Sequence, residues 1–287
     1  MALWDNTTEI EFFHEALENF ACPEQLFYKL KEEYYAYIPK GVSGAGETLQ
    51  SRNSLIGKFT EKWCKKLFEP IAKELGLFAI NGVVCEELGL NKKSSADLAF
   101  CTRNTITQNP FDIELIFEVK MSIVSNYRYL PPKIIEYVGD YKQRKGNPSL
   151  LRSDSMLKAI GKAVNIRVSG VAQGIPIIVL GNSPITENYI SKVDFLKTAG
   201  VVQGFWSLNP KPTTSDFIFQ TPQLGFRTIL EEKELFVYCK ELVSSSLCYF
   251  SAMLSRAQLG ELIDIASQEP TSIAKAQKFL RLIQNIK

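Results

Sequence analysis

A single histidine, His14, occurs in the 287 residues, and that scarcity removes whole classes of chemistry. Within one subunit, Ser-His-Asp and Cys-His catalysis would both have to use it, and a multi-histidine zinc site is impossible. No C-x-x-C pair exists. Cys22, Cys64, Cys85, Cys101, Cys239 and Cys248 are scattered singly, which reads as reduced, buried thiols rather than a disulfide framework or a zinc cluster. No signal peptide is recognisable, and no apolar run approaches the ~20 residues that would cross a bilayer. The expectation is a cytoplasmic chain with no membrane partner. Neither sign of charge dominates: 33 Lys and Arg stand against 31 Asp and Glu, a balance that neither demands nor excludes a polyanionic partner. Chemistry here must run on carboxylates, lysines or hydroxyls.

Residues 41–48 come close to a phosphate-binding loop, G-x-x-x-x-G-K-[ST], but Glu47 stands where the lysine belongs. That lysine neutralises the β- and γ-phosphates, and a carboxylate would repel them. Only Tyr37-Ile-Pro-Lys40 precedes the loop, not an apolar strand. No nucleotide cofactor is expected.

Hydrophobic spacing divides the rest into elements. Phe12, Phe13, Ala16, Leu17 and Phe20, then Leu26, Phe27, Leu30 and Tyr34, predict one or two helices over 8–37. His14 on the first of them reads as structural. A long amphipathic helix follows, from Ser51 or Ser54 to Leu75, with Leu55, Ile56, Phe59, Trp63, Leu67, Phe68 and Ile71 along its stripe. Pro70 predicts a kink or break near Glu69, and Gly76 a stop. Short runs at 78–80 with 83–85, at 97–101 and at 113–121 predict an antiparallel meander. Residues 131–152 read as a basic surface segment with tyrosines on either side of its start. Ser153 is placed to cap a helix from Asp154 to about Arg167. The wholly apolar Ile175–Leu180, opened by Pro176, suits a buried central strand. Residues 201–206 predict another strand, 209–216 a loop, and roughly 230–255, 257–267 and 272–286 the last helices. No linker divides the chain, so one domain is expected, with a core at about 50–206 and helical extensions at 1–40 and 230–287.

The most informative stretch is Asp112–Lys120. Ile113, Leu115, Phe117, Val119 and Met121 alternate with Asp112, Glu114, Ile116, Glu118 and Lys120, the signature of a strand with one face in the core. Glu118 and Lys120, two residues apart, project to the same side. Asp97 opens the preceding strand run. If Asp97 and Glu118 meet at one sheet edge, they repel unless a cation lies between them. Hard oxygen ligands in an incomplete cage suit Mg2+, which completes its shell with water and phosphate, and the Val119 carbonyl can add an oxygen. Lys120 is then placed to orient or deprotonate an attacking water. Glu61, on a shoulder of the long helix's stripe, reads either as a solvated carboxylate or, where Gly57 lets the helix approach closely, as a further member of the cluster. Asp112 and Glu114 lie too far back along the strand to share the site.

Ala96-Asp97 and Glu118-Val119-Lys120, with their helix–meander–helix–strand order, resemble the PD-(D/E)xK nuclease superfamily and, within it, the type II restriction endonucleases. Ala96 departs from the motif's proline. The resemblance implies an α/β fold of the α+β type: a central mixed four- to five-stranded sheet flanked by helices, here with extra N- and C-terminal helices. It further implies Mg2+-dependent cleavage of double-stranded DNA by a homodimer at a short palindrome. Carried over by motif position, Asp97 and Glu118 are metal ligands, Lys120 is the catalytic lysine, and Glu61 matches a helix glutamate that some members supply.

For DNA contact the candidate surface is 127–167, with Arg128, Arg144, Lys145, Arg152, Lys158, Lys162 and Arg167 toward phosphates and Gln143, Arg144 or Asn147 toward bases. Lys158 and Lys162 stand four apart on one helix side and suit a phosphate track. Two other readings stay open. One is a structure-specific or repair nuclease of the same superfamily. The other is a non-catalytic DNA-binding protein whose Glu-Lys pair is a surface ion pair.

Overall fold

The computed structural model describes residues 2–42, 49–172, 174–245 and 254–284. The glycine-rich stretch 41–48 falls largely outside them. The chain opens with α1 (Asn6–Asn19) and the single turn α2 (Pro23–Leu26), then β1 (Tyr28–Leu30) and β2 (Glu33–Tyr35). The long helix α3 (Gln50–Glu74) leads into the meander β3 (Phe78–Val83), β4 (Ala96–Cys101) and β5 (Ile113–Val119). Next come β6 (Asn126–Leu130), β7 (Ile134–Gly139), α4 (Ser153–Arg167), β8 (Ile177–Gly181), α5 (Ile190–Thr198), β9 (Gly204–Ser207) and β10 (Phe226–Thr228). Helices α6 (Glu232–Ser244), α7 (Arg256–Ser267) and α8 (Ser272–Gln284) close it.

The central sheet is mixed and six-stranded, in the order β10-β9-β8-β5-β4-β3. That is one or two strands more than expected. β3, β4 and β5 form the antiparallel meander, while β8 joins β5 in parallel and β9 and β10 continue that direction. Both faces are covered, as a sheet with parallel strands requires. On one side Leu115, Phe117 and Val119 meet Trp63, Leu67 and Phe68 of α3 and Leu235 of α6. On the other, Ile116 and Val179 meet Met156, Ala159 and Ala163 of α4. The face of β5 that carries Glu118 is therefore packed under a helix rather than solvated.

Several local expectations are corrected. Residues 28–35 are a hairpin, not helix, with Lys31 in the left-handed region at its turn (φ 57°). Aromatic residues suit strands as well as helices, and pairing of β2 with β6 supplies the backbone bonds that decide the matter. The basic segment 131–152 is not a mere surface segment either, since β7 lies within it. β6 and β7 complete a second, four-stranded sheet, β1-β2-β6-β7. Helix α3 runs through Pro70. The proline removes one intrahelical bond, and burial of Leu67, Phe68, Ile71 and Ala72 carries the helix onward. Arg152, not Ser153, holds the position before α4, and no side chain caps it. Cys22 is exposed, whereas Cys64, Cys85, Cys101 and Cys239 are buried free thiols.

Between β5 and β6 the chain crosses the interior as a non-repetitive segment, and its polar backbone groups must be met by side chains. Glu9 of α1, 1% exposed, accepts the N–H groups of Val124 (2.6 Å) and Ser125 (3.0 Å), with Trp4 Nε1–H and the Tyr127 hydroxyl as further donors at 2.9 Å each. Burial pushes its carboxyl upward, and the four donors pull against that. From the opposite side Arg144, 2% exposed and stacked 3.4 Å from the Tyr37 ring centroid, donates to the carbonyls of Ile123 and Val124, each at 3.0 Å.

Arg144 was expected to contact DNA, and its burial rules that out. The same holds for Arg167, which donates to the carbonyls of Ala172, Ile175 and Val201 inside the second core. Arg144→Met should lower the free energy of unfolding by about 3 kcal/mol, since it orphans several buried carbonyls at once. Urea denaturation followed by tryptophan fluorescence measures this.

Candidate functional site

Pairing of Leu98 with Phe117 sets the start of β4 beside the end of β5. Asp97 therefore stands next to Glu118, and the Val119 N–H donates to Asp97 Oδ2 at 2.7 Å. Lys120 lies one residue beyond the strand, yet its N–H still donates to Leu180 of β8 at 2.7 Å. The cluster thus gathers at the carboxyl ends of two adjacent parallel strands, a common place for ligand sites in sheets of this kind.

Two lysines bridge the two carboxylates through different oxygens. Lys120 Nζ contacts Glu118 Oε1 closely and lies 3.6 Å from Asp97 Oδ2. Lys162 Nζ, reaching in from α4, lies 2.5 Å from Glu118 Oε2 and 3.2 Å from Asp97 Oδ1, and also donates to the Ser95 carbonyl at 2.6 Å. Glu118 is 5% exposed, and its Oε2 meets the Lys162 ammonium alone. Burial and the neighbouring Asp97 carboxylate push the Glu118 carboxyl upward, while Lys120 and Lys162 oppose them. For Lys162, burial disfavours the ammonium, but Asp97 and Glu118 outweigh it and raise its basicity.

Glu61 borders this cluster. The side chain is about half-buried on α3, and its carboxyl is raised by burial and then by Asp97. Asn81 of β3 fixes the helix there by donating to the Glu61 carbonyl at 2.9 Å. Behind Lys120, Ser149 Oγ donates to the Lys120 carbonyl at 2.6 Å and accepts the Asn182 N–H at 3.1 Å. Asn182 in turn accepts the Ser122 N–H (3.1 Å) and donates to the Ser122 carbonyl (2.6 Å).

Asp97, Glu118, Val119 and Lys120 thus come together as expected, with Glu61 at the margin. Lys162 does not join a phosphate track: its ammonium is held among the carboxylates. Two alanines on the sheet-facing side of α4, Ala159 and Ala163, permit the close approach that brings it there. Their small size beside a lysine was the signal available in the sequence. Ser149 and Asn182 carried none, because ordinary polar residues in loops become supports only once the strands are paired. Lys158, Lys145, Gln143 and Asn147 are exposed. Arg152 pairs with Asp154 at 2.7 Å, and Arg128 with Glu33 and Glu136, so these guanidiniums are already engaged. Asp112 stays at the far end of β5, paired with Arg103 at 3.2 Å.

Among the described residues, no three His, Cys, Asp or Glu side chains gather into a ready-made metal cage. Two carboxylates and a carbonyl are instead the partial, all-oxygen set that suits Mg2+, and the buried Glu118 Oε2, which meets only the Lys162 ammonium, is an acceptor such an ion could take over. The residues fit that ion. The apolar groove between α1 and α3, about 210 Å³ and lined by Phe12, Phe20, Leu55 and Phe59, includes none of them.

Gly181, at the end of β8, has no room for a side chain. A Cβ there would run into Leu150 and come within 2.9 Å of Ser149 Oγ. Gly181→Ala should therefore cost about 2 kcal/mol in thermal or urea unfolding by overpacking against the Lys120 support. Comparison with known protein families, with curated proteins and with solved structures gave no match for this chain.

Proposed function

We propose that the chain is a Mg2+-dependent endodeoxyribonuclease that hydrolyses phosphodiester bonds of double-stranded DNA. The observation that carries this reading is the convergence of Asp97, Glu118 and Lys120 at the ends of two central strands, with Glu118 buried under α4 and Lys120 mostly covered. A surface ion pair would be worth ~0–1 kcal/mol and could sit anywhere. A buried carboxylate beside a second, half-buried one needs compensation and is retained at a cost, which favours a site over the non-catalytic alternative.

Asp97, Glu118 and the Val119 carbonyl would hold the metal, which when bound polarises a phosphoryl oxygen and lowers the pKa of a coordinated water. Asp97 is oriented for this by the Val119 N–H, and its side chain is not free to swing. Lys120 is fixed at its carbonyl by Ser149 and at its N–H by Leu180, so its ammonium is delivered to one side of the carboxylate pair. There it can orient the attacking water or offset charge on the phosphate as the bond forms. Glu61, with its raised carboxyl, is suited to take a proton or accept a hydrogen bond at the margin. Exposed Lys58, Lys92, Lys93 and Lys158 lie on or next to the elements that supply Glu61, Asp97 and Lys162, where duplex phosphates would pass.

Cleavage at one short sequence, as a restriction enzyme acting as a homodimer, is the finer form of the proposal and rests on the motif resemblance. Digestion of plasmid DNA with Mg2+, followed by sequencing of the ends, tests both levels. One repeated motif at the cuts supports the restriction form, while scattered or branch-dependent cuts support a structure-specific nuclease. Lys120→Ala should reduce cleavage by about 10²-fold or more. Asp97→Ala should abolish it while DNA binding in Ca2+ is retained. Undiminished cleavage by Lys120→Ala would refute the catalytic assignment.

A further inference from the structure

The chain brings a cation of its own to the point where Asp97 and Glu118 converge. Lys162 Nζ lies within 3.2 Å of Asp97 Oδ1 and 2.5 Å of Glu118 Oε2, one oxygen from each carboxylate. Those are the two oxygens that Lys120 leaves over. Asp97 Oδ2 already receives the Val119 N–H and faces Lys120, and Glu118 Oε1 is taken by Lys120. Both carboxylates are therefore oriented without Lys162. What Lys162 adds is charge. Its ammonium and a divalent ion cannot share the same pair of oxygens, because they would repel strongly even through an effective dielectric of ~20.

The two lysines are not equally placed to give way. Lys120 is rooted in the sheet next to its partners. Lys162 reaches across from α4 on a flexible four-carbon stem, and its remaining partner, the Ser95 carbonyl at 2.6 Å, lies outside the carboxylate pair. Its side chain is 16% exposed, so a path outward exists.

Building on the metal-site reading above, we propose that Lys162 is a built-in competitor of the metal. It occupies the divalent-cation position between Asp97 and Glu118, and the ion binds by displacing it while the ammonium stays anchored near Ser95. The alternative, that Lys162 supports the ligands, predicts the opposite sign: removing a support weakens metal binding, and removing a competitor tightens it.

Isothermal titration of Mg2+ into the DNA-free full-length chain distinguishes the two. Lys162→Met should bind Mg2+ about tenfold tighter than the parent, a modest share of what a partly buried cation contributes at such distances. Lys162→Gln, which keeps a donor for Ser95, should behave alike and serves if the methionine variant folds poorly. Lys162→Arg, which keeps the charge, should stay near the parent. Without Mg2+, the two neutral variants should melt at lower temperature than the parent, and added Mg2+ should raise their Tm by more than it raises the parent's. Equal or weaker Mg2+ binding by the neutral variants overturns the proposal, and leaves the nuclease reading intact if the parent binds Mg2+ and cleaves DNA. No Mg2+ binding by any of the proteins overturns both.

Discussion

The structure depends on how one buried stretch of backbone is satisfied. Leaving β5 at Val119, the chain does not turn out into solvent but crosses the interior to β6, and every polar group it buries there must find a partner at the risk of ~1–3 kcal/mol each. Ser149 takes the carbonyl of Lys120, Asn182 both backbone groups of Ser122, Arg144 the carbonyls of Ile123 and Val124, and Glu9 the N–H groups of Val124 and Ser125. These partners come from α1, from the loops before α4 and after β8, and from the turn after β7. The segment is thus where the two sheets are tied together. It is also the direct continuation of Lys120, so the stiffness of the ties passes into the position of that side chain.

Electrostatics at the cluster follows from the same packing. Because α4 covers the Glu118 face of β5, the carboxylate loses water, and its proton affinity rises, with the nearby ammonium groups offsetting only part of the loss. Two carboxylates with two lysines give a charge-balanced group that can be buried at tolerable cost. Glu61, more open to solvent, leaves the balance slightly negative, the sense that favours a cation over an anion.

Particular residues show what the sequence could and could not reveal. The alternation over 113–121 identified β5, and the offset of Glu118 from Lys120 placed both on one face, because the two-residue period of a strand is a local property. Asp97 was legible for the same reason. Which residues cover that face is not local. Lys162 read as one of a phosphate-tracking pair with Lys158, and only the closeness of α4 to the sheet at Ala159 and Ala163 separates the two. Arg144 and Arg167 looked like surface cations because nothing in sequence tells a guanidinium facing phosphate from one facing buried carbonyls. The hairpin at 28–35 and the sheet it joins were missed since its partner, β6, lies some ninety residues away. Short aromatic runs take the conformation that distant pairing offers them.

That same reach through sequence has a kinetic side. Glu9 meets Val124 and Ser125 across more than a hundred residues, and Asn182 meets Ser122 across sixty. Contacts of such separation form late, after loop-closure entropy has been overcome. On a ribosome, α1 can pack on α3 early, but Glu9 does not meet Val124 and Ser125 until the segment after β5 is out, and Lys120 is not fixed until residue 182 has joined them. The carboxylates and lysines therefore stay apart through the synthesis of everything up to Asn182, and the cluster is assembled only after that residue has emerged.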